Sequence, residues 1–156
     1  MQEVIKVEQL TKSYGKLHAV ENISLSVDRG MVFGLLGANG AGKSTTIECI
    51  LGTKKADTGT IRILGADPFK DRKKLFERVG VQFQESSYQE QITVAELCRV
   101  TASLYKEAAD PFALLARFGI ADKKNSPVKD LSGGQKQRLF IVLALIPDPE
   151  VVFWTN

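Results

Sequence analysis

The sequence predicts an α/β fold with a largely parallel central sheet, and three observations carry that expectation. An apolar run, Val32–Leu36, enters a glycine-rich turn and leaves it as an amphipathic helix. The middle of the chain turns helical, and a second short apolar run, Val151–Phe153, follows the last helix. Strand, turn, helix and strand again is the alternation that sets parallel strands beneath covering helices.

Taken in order, Val4–Val7 and Ile23–Val27 alternate polar and apolar residues as half-buried strands do, and Val32–Leu36 reads as a buried strand. A helix is predicted over Lys43–Leu51, with Ile47, Ile50 and Leu51 on one face and Gly52 as its C-terminal cap. Asp57–Gly59 turns into a strand at Thr60–Leu64, and Val79–Phe83 is the next short strand. Thr93–Glu96 is a capping box that opens a helix reaching about Tyr105. Asp110 caps another, with Pro111 at its first position. After a polar loop at Lys123–Pro127, a helix is expected over Gly133–Leu145, with Leu139, Val142, Leu143 and Ile146 as its apolar stripe and Pro147 and Pro149 ending it.

The chain has 156 residues, 44% hydrophobic and 25% charged, and a net charge of +3. That length can bury about 70% of its unfolded surface. Lys and Arg are mixed among Asp and Glu, without the basic blocks of a nucleic-acid arm, so no nucleic-acid partner is expected. Cys49 and Cys98 are isolated on apolar helical faces, which argues for reduced thiols and against a zinc site. The N-terminal MQEVIKVEQL alternates instead of forming a signal-peptide core. The apolar stretch Leu139–Ile146 falls far short of the ~20 residues a membrane-spanning helix needs. Any membrane role is therefore expected to be peripheral, through a partner.

Residues 37–44, GANGAGKS, match G-x-x-x-x-G-K-[ST] in full and sit between an apolar strand and an amphipathic helix. A triphosphate needs several N–H donors converging on it, and Gly40 and Gly42 let the backbone curl into such a nest. The helix that follows turns its positive end toward the anion. Lys43 adds a point charge near the β- and γ-phosphates, and the Ser44 hydroxyl suits Mg²⁺. The expected nucleotide contacts are Gly37, Ala38, Asn39, Gly40, Ala41, Gly42, Lys43, Ser44 and Thr45.

A second glycine-rich helix start follows at Leu131–Gln135, LSGGQ, where Ser132 and Gln135 form a capping box. Two adjacent glycines there cost helix propensity, about 1 kcal/mol each relative to alanine. They make sense where the backbone must closely approach another molecule, which points to a second anion site.

With GANGAGKS and LSGGQ together, the chain resembles the ABC (ATP-binding cassette) ATPase family, over its whole length up to Phe153. The resemblance implies a P-loop NTPase (RecA-like) core with an N-terminal antiparallel β-subdomain and an inserted α-helical subdomain. Residues 1–84 and 132–156 would form the β-subdomain and core, and 85–131 the helical subdomain. It implies ATP and Mg²⁺ as ligands, and a homodimer or paired second nucleotide-binding domain in which Ser132, Gly133, Gly134 and Gln135 meet the partner's ATP. Tyr14, in LTKSYGKLHAV, falls where the family sets an aromatic ring against adenine. Gln84 matches the family glutamine that touches Mg²⁺ or the attacking water; strand alternation puts Gln82 on the same face, and only the family register favours Gln84. His18, the single histidine, reads as a surface or packing residue. The segment 65–105 looks most like ATPase subunits of multidrug-type exporters that serve a separate integral membrane permease, peripheral on the cytoplasmic face of the plasma membrane. The long coiled-coil insertions of relatives that act on DNA or ribosomes are absent.

The chain departs from the family after Phe153. There the family continues Leu-Asp-Glu-Pro, its Asp holding Mg²⁺ and its Glu polarising water, whereas this sequence reads Trp154, Thr155, Asn156. Loss of one T from TTT TTG GAC GAA C yields TTT TGG ACG AAC, or Phe-Trp-Thr-Asn. The expectation is thus a frameshifted, truncated cassette in which Lys43 and Gln84 remain of the catalytic set. Neither Thr nor Asn replaces a carboxylate base, so it is expected to bind nucleotide without hydrolysing it. A hydrolysis-dead remnant is the alternative to a working transport ATPase.

Overall fold

The computed structural model describes residues 2–82, 88–89 and 91–154. The chain forms two compact units, residues 1–75 and 76–156.

In the first unit, β1 (Glu3–Tyr14) and β2 (Leu17–Asp28) form an antiparallel hairpin around a two-residue turn, and β3 (Thr58–Ile63) pairs antiparallel with the other edge of β1. The strands run longer than their apolar cores suggested. Cross-strand pairs such as Lys12 with Val20 and Tyr14 with Leu17 extend the ladder past the alternating segment. Val4, Ile5, Val7 and Leu10 of β1 are buried, with Val20, Val27 and Ile63 from its neighbours. Register shifts interrupt β1 between Val7 and Leu10, where Gln9 has φ of 51° and donates its N–H to Ser24 Oγ at 2.9 Å. Such an irregularity bends a strand and increases its twist.

The helix α1 (Lys43–Ile50) lies against β2 and buries Thr46, Cys49 and Ile50. Leu51 closes it, and the short helix α2 (Arg72–Leu75) is tied back when the Arg72 guanidinium donates to the Leu51 carbonyl at 2.9 Å.

One strand expectation fails in this unit. Residues 31–38 adopt no regular secondary structure and join no ladder, and Met31, Val32, Phe33 and Leu36 are exposed, Val32 fully so. An apolar run registers a surface that favours cover. A strand also needs a backbone neighbour to satisfy its N–H and C=O groups, and among the described residues none lies alongside.

In the second unit, β4 (Val79–Gln82) and β5 (Val151–Trp154) form a parallel pair, with Val79 opposite Val151 and Gln82 opposite Trp154. This pair is the parallel sheet found among the described residues. The helices are α3 (Val94–Ser103), α4 (Pro111–Arg117) and α5 (Gly133–Leu145). Their boundaries follow the predicted caps. Thr93 and Glu96 form a reciprocal capping box, and the Asp110 carboxylate accepts from the Phe112 N–H at 2.9 Å. Val94, Cys98, Leu115, Leu139, Val142 and Ile146 share one core, so the stripe of α5 packs with the helices of 85–131. Burying each such side chain stabilises by about 1.5–3 kcal/mol. Gly80 permits a close approach of strand to helix: a Cβ there would sit 2.1 Å from the Ala144 carbonyl oxygen.

Candidate functional site

The loop at 37–42 owes its shape to two left-handed glycines. Gly40 has φ of 82° and Gly42 of 80°, and between them the Ala41 N–H donates to the Ala38 carbonyl at 3.1 Å. Gly42 is the N-cap of α1, with no side chain capping the helix and no acidic residue in its first turn. A Cβ at Gly42 would lie 2.0 Å from the Ala19 carbonyl oxygen, so the loop seats directly on β2. The Thr46 N–H and hydroxyl both bond the Gly42 carbonyl, at 2.8 and 2.9 Å, which locks the first turn.

Lys43 folds over the loop, its ammonium donating to the carbonyls of Gly37 at 2.5 Å and Ala38 at 2.7 Å. Ser44 is exposed and Thr45 half-buried beside it. An uncapped helix start with a lysine held across it suits a phosphate anion in charge and in donor supply. For magnesium, the described residues offer the Ser44 hydroxyl, and no group of three or more His, Cys, Asp or Glu side chains gathers among them. That set fits an ion bound mainly by phosphate oxygens and water, as Mg²⁺ commonly is.

Tyr14 ends β1 and is 42% exposed. Two cations that the sequence reading passed over flank it: Lys12 Nζ lies 5.4 Å and Lys54 Nζ 5.3 Å from the ring centroid. Each is matched by a carboxylate. Lys12 bonds Asp57 at 3.0 Å, and Lys54 bonds Glu48, on α1, at 2.9 Å. The Asp57 carboxylate also accepts the Ser13 N–H at 2.7 Å; that backbone bond first, then Lys12, holds its pKa below the ordinary value. Sequence spacing gave no signal for Lys54, which reaches Tyr14 only because β1 and the segment after α1 fold together. His18 makes a local bond, its Nδ1 2.9 Å from Ser13 Oγ.

The second glycine-rich start belongs to the other unit. Ser132 Oγ accepts from the Gln135 N–H at 3.3 Å, and Gln135 Oε1 accepts from the Ser132 N–H at 2.9 Å. Ser132, Gly133 and Gly134 are exposed, and among the described residues nothing lies within 4 Å of a Cβ built on either glycine. Gln84 lies outside the described residues; Gln82, its competitor in the sequence, is buried at the end of β4. Trp154 is half-exposed at the end of β5.

The family model described as ABC transporter matches residues 20–154. The chain is 40% identical over 154 residues to a fluoroquinolones export ATP-binding protein of Mycobacterium tuberculosis, covering 97% of this chain and 51% of that one. It is 35% identical over 156 residues to the bacitracin transport ATP-binding protein BcrA of Bacillus licheniformis, covering 97% and 50%. Among solved structures, an ATP-binding subunit of an ABC transporter superposes with a TM-score of 0.86 at 28% identity, over 97% of this chain and 65% of that one. The chain spans about half the length of the curated relatives it matches.

Proposed function

This chain belongs to the ABC transporter family, and from that premise we propose that it is the ATP-binding subunit of an exporter, binding Mg²⁺–ATP at residues 37–45 and acting on a separate membrane permease. The observation that carries the reading is the uncapped start of α1 at Gly42 with the Lys43 ammonium held across it. Names of similar proteins, fluoroquinolones export and Nod factor export, support the export direction.

Each residue has a part in this reading. The first-turn amides of α1 and the loop around Gly40 donate to phosphate oxygens, and Lys43 moves its ammonium from the loop carbonyls to the β/γ region. The Ser44 hydroxyl ligates magnesium, with Gln84 as its proposed companion. Tyr14 offers its ring to the base. Ser132, Gly133, Gly134 and Gln135 face the nucleotide of a second nucleotide-binding domain, in a homodimer or a pair. The helical stretch 85–131 is the proposed contact with the permease, at the cytoplasmic face of the membrane. Among the described residues no helix is long and apolar enough to cross a membrane.

Bound ATP supplies the phosphoryl group whose transfer to water the family couples to transport. In the 156 residues themselves, Trp154, Thr155 and Asn156 follow Phe153, and none provides a carboxylate base. Turnover is read as phosphate release from this polypeptide against a Lys43→Ala control. Calorimetric titration tests the binding itself. Lys43→Ala should weaken ATP by about 10- to 100-fold, the loss of a charge-assisted contact, with an unchanged circular dichroism spectrum. Equal affinity in the two proteins would sink the assignment.

A further inference from the structure

We propose that Lys54 is a positioning residue for the nucleobase: bridged to Glu48 on α1 and set against Tyr14, it fixes the ring in register with the helix that follows the phosphate loop. The inference rests on the reading of residues 37–45 as a nucleotide site and extends it to the base.

Tyr14 stands near the tip of a hairpin, at the end of β1 next to the two-residue turn. The residue is 42% exposed there, and two ammonium groups lie against its ring. Lys12 comes from the same strand, two residues earlier, and is committed to Asp57, whose other oxygen accepts the Ser13 N–H. The Asp57 N–H in turn donates to the Thr11 carbonyl at 2.9 Å, so that cluster anchors the strand end as a whole. Lys54 differs in where it leads. Its ammonium joins the ring to Glu48, and Glu48 is also bound through its backbone: its carbonyl accepts from the N–H groups of Thr53 and Lys54 at 2.9 and 3.1 Å. The side chains thus connect the base platform to α1, and Lys43 and Ser44 lie at the other end of the same eight-residue helix.

Glu48 and then the Tyr14 hydroxyl raise the Lys54 pKa, in keeping with an ammonium shared between the two. Both ion-pair partners are about 40% exposed. Water screens such a pair, so its value lies in orientation and its effect is modest. An ammonium at a ring also contributes a cation–π attraction of similar size.

The test separates the base from the phosphates by titrating the 156-residue chain with Mg²⁺–ATP and with Mg²⁺–tripolyphosphate. Lys54→Met should weaken ATP about three- to fivefold and leave tripolyphosphate unchanged. Lys54→Arg should restore ATP affinity. In a Tyr14→Ala background, Lys54→Met should add nothing, and the quenching of tyrosine emission by ATP should lose the Lys54-dependent part. Equal weakening of both ligands would mean that Lys54 acts only as a surface charge, and additive losses with Tyr14→Ala would mean that it acts independently of the ring; either overturns the inference. If tripolyphosphate binds and responds to Lys43→Ala while Lys54→Met has no effect on ATP, the inference fails and the phosphate site stands. If neither ligand binds, both fall together.

Discussion

The chain starts two helices on glycine, and the structure finishes them in opposite ways. At α1 the cap is Gly42 in the left-handed region, with no side chain accepting from the helix and a lysine lying over the loop. At α5 the cap is Ser132, closed reciprocally with Gln135. Gly42 is demanded by the fold itself, since the Ala19 carbonyl occupies the place of a Cβ. Gly133 and Gly134 face open space among the described residues, none of which requires them. The first start leaves its donors without a side-chain cap, as the proposed phosphate site requires. The second is a satisfied helix end with a bare backbone surface, the form expected where another molecule must come close.

The largest expected effect follows from that contrast. Gly42→Ala puts a methyl group against a backbone carbonyl, at a φ that L-residues rarely adopt. It should destabilise the first unit by about 3 kcal/mol. Urea denaturation measures this. A loss under 1 kcal/mol would mean that the loop rearranges freely and that Gly42 is no more constrained than Gly134.

The next effect compares the cores beneath the two helices. Cys49 lies on α1 and Cys98 packs in the core that receives α5, and burial raises both thiol pKa values, that of Cys98 to about 11 from 9.0. Below pH 9 both the folded and unfolded forms keep the Cys98 proton. Between pH 9 and 11 the unfolded chain loses it first, so alkali favours unfolding. The penalty reaches about 2 kcal/mol by pH 11, and Cys98→Ala should remove that part of the slope. A slope unchanged in the variant would show that the thiol does not titrate within a closed core.

How much of this was legible in the sequence divides along the same line. Helix ends with side-chain caps were readable because the capping residues are neighbours: Thr93 with Glu96, Asp110 with Pro111, and Ser132 with Gln135 all define the observed starts. The glycine-rich turn into α1 was readable for the same reason, its glycines and Lys43 falling within eight residues. The assignment of Val32–Leu36 as a buried strand failed, because pairing depends on what lies alongside and not on the run itself. The surroundings of Tyr14 were equally invisible: Asp57 and Lys54 lie more than 35 residues away in sequence, and only the pairing of β3 with β1 suggests that they come near. Local chemistry wrote the caps and the loop; long-range packing placed the ring.

A smaller effect tests whether α5 is closed as described. Ser132→Ala removes the acceptor for the Gln135 N–H and should cost about 1 kcal/mol of stability in the second unit, read as a shift of its denaturation midpoint. No shift would mean that the capping box contributes nothing and that the two helix starts are more alike than their geometry shows.

The smallest effect has the opposite sign, and it bears most directly on why the second start contains glycine. Gly134 sits within α5, where alanine is a better helix former, and an added Cβ meets nothing within 4 Å. Gly134→Ala should therefore stabilise the chain, by about 0.5 kcal/mol. A glycine that costs stability and serves no internal contact is explained by something outside the chain, in the proposed case the nucleotide of a second domain. The same variant should then reduce nucleotide-dependent self-association in sedimentation, because the methyl group keeps that nucleotide from the backbone. Stabilisation together with weaker association supports an intermolecular role. Destabilisation would show that the fold needs this glycine as much as it needs Gly42, and the distinction between the two helix starts would be lost.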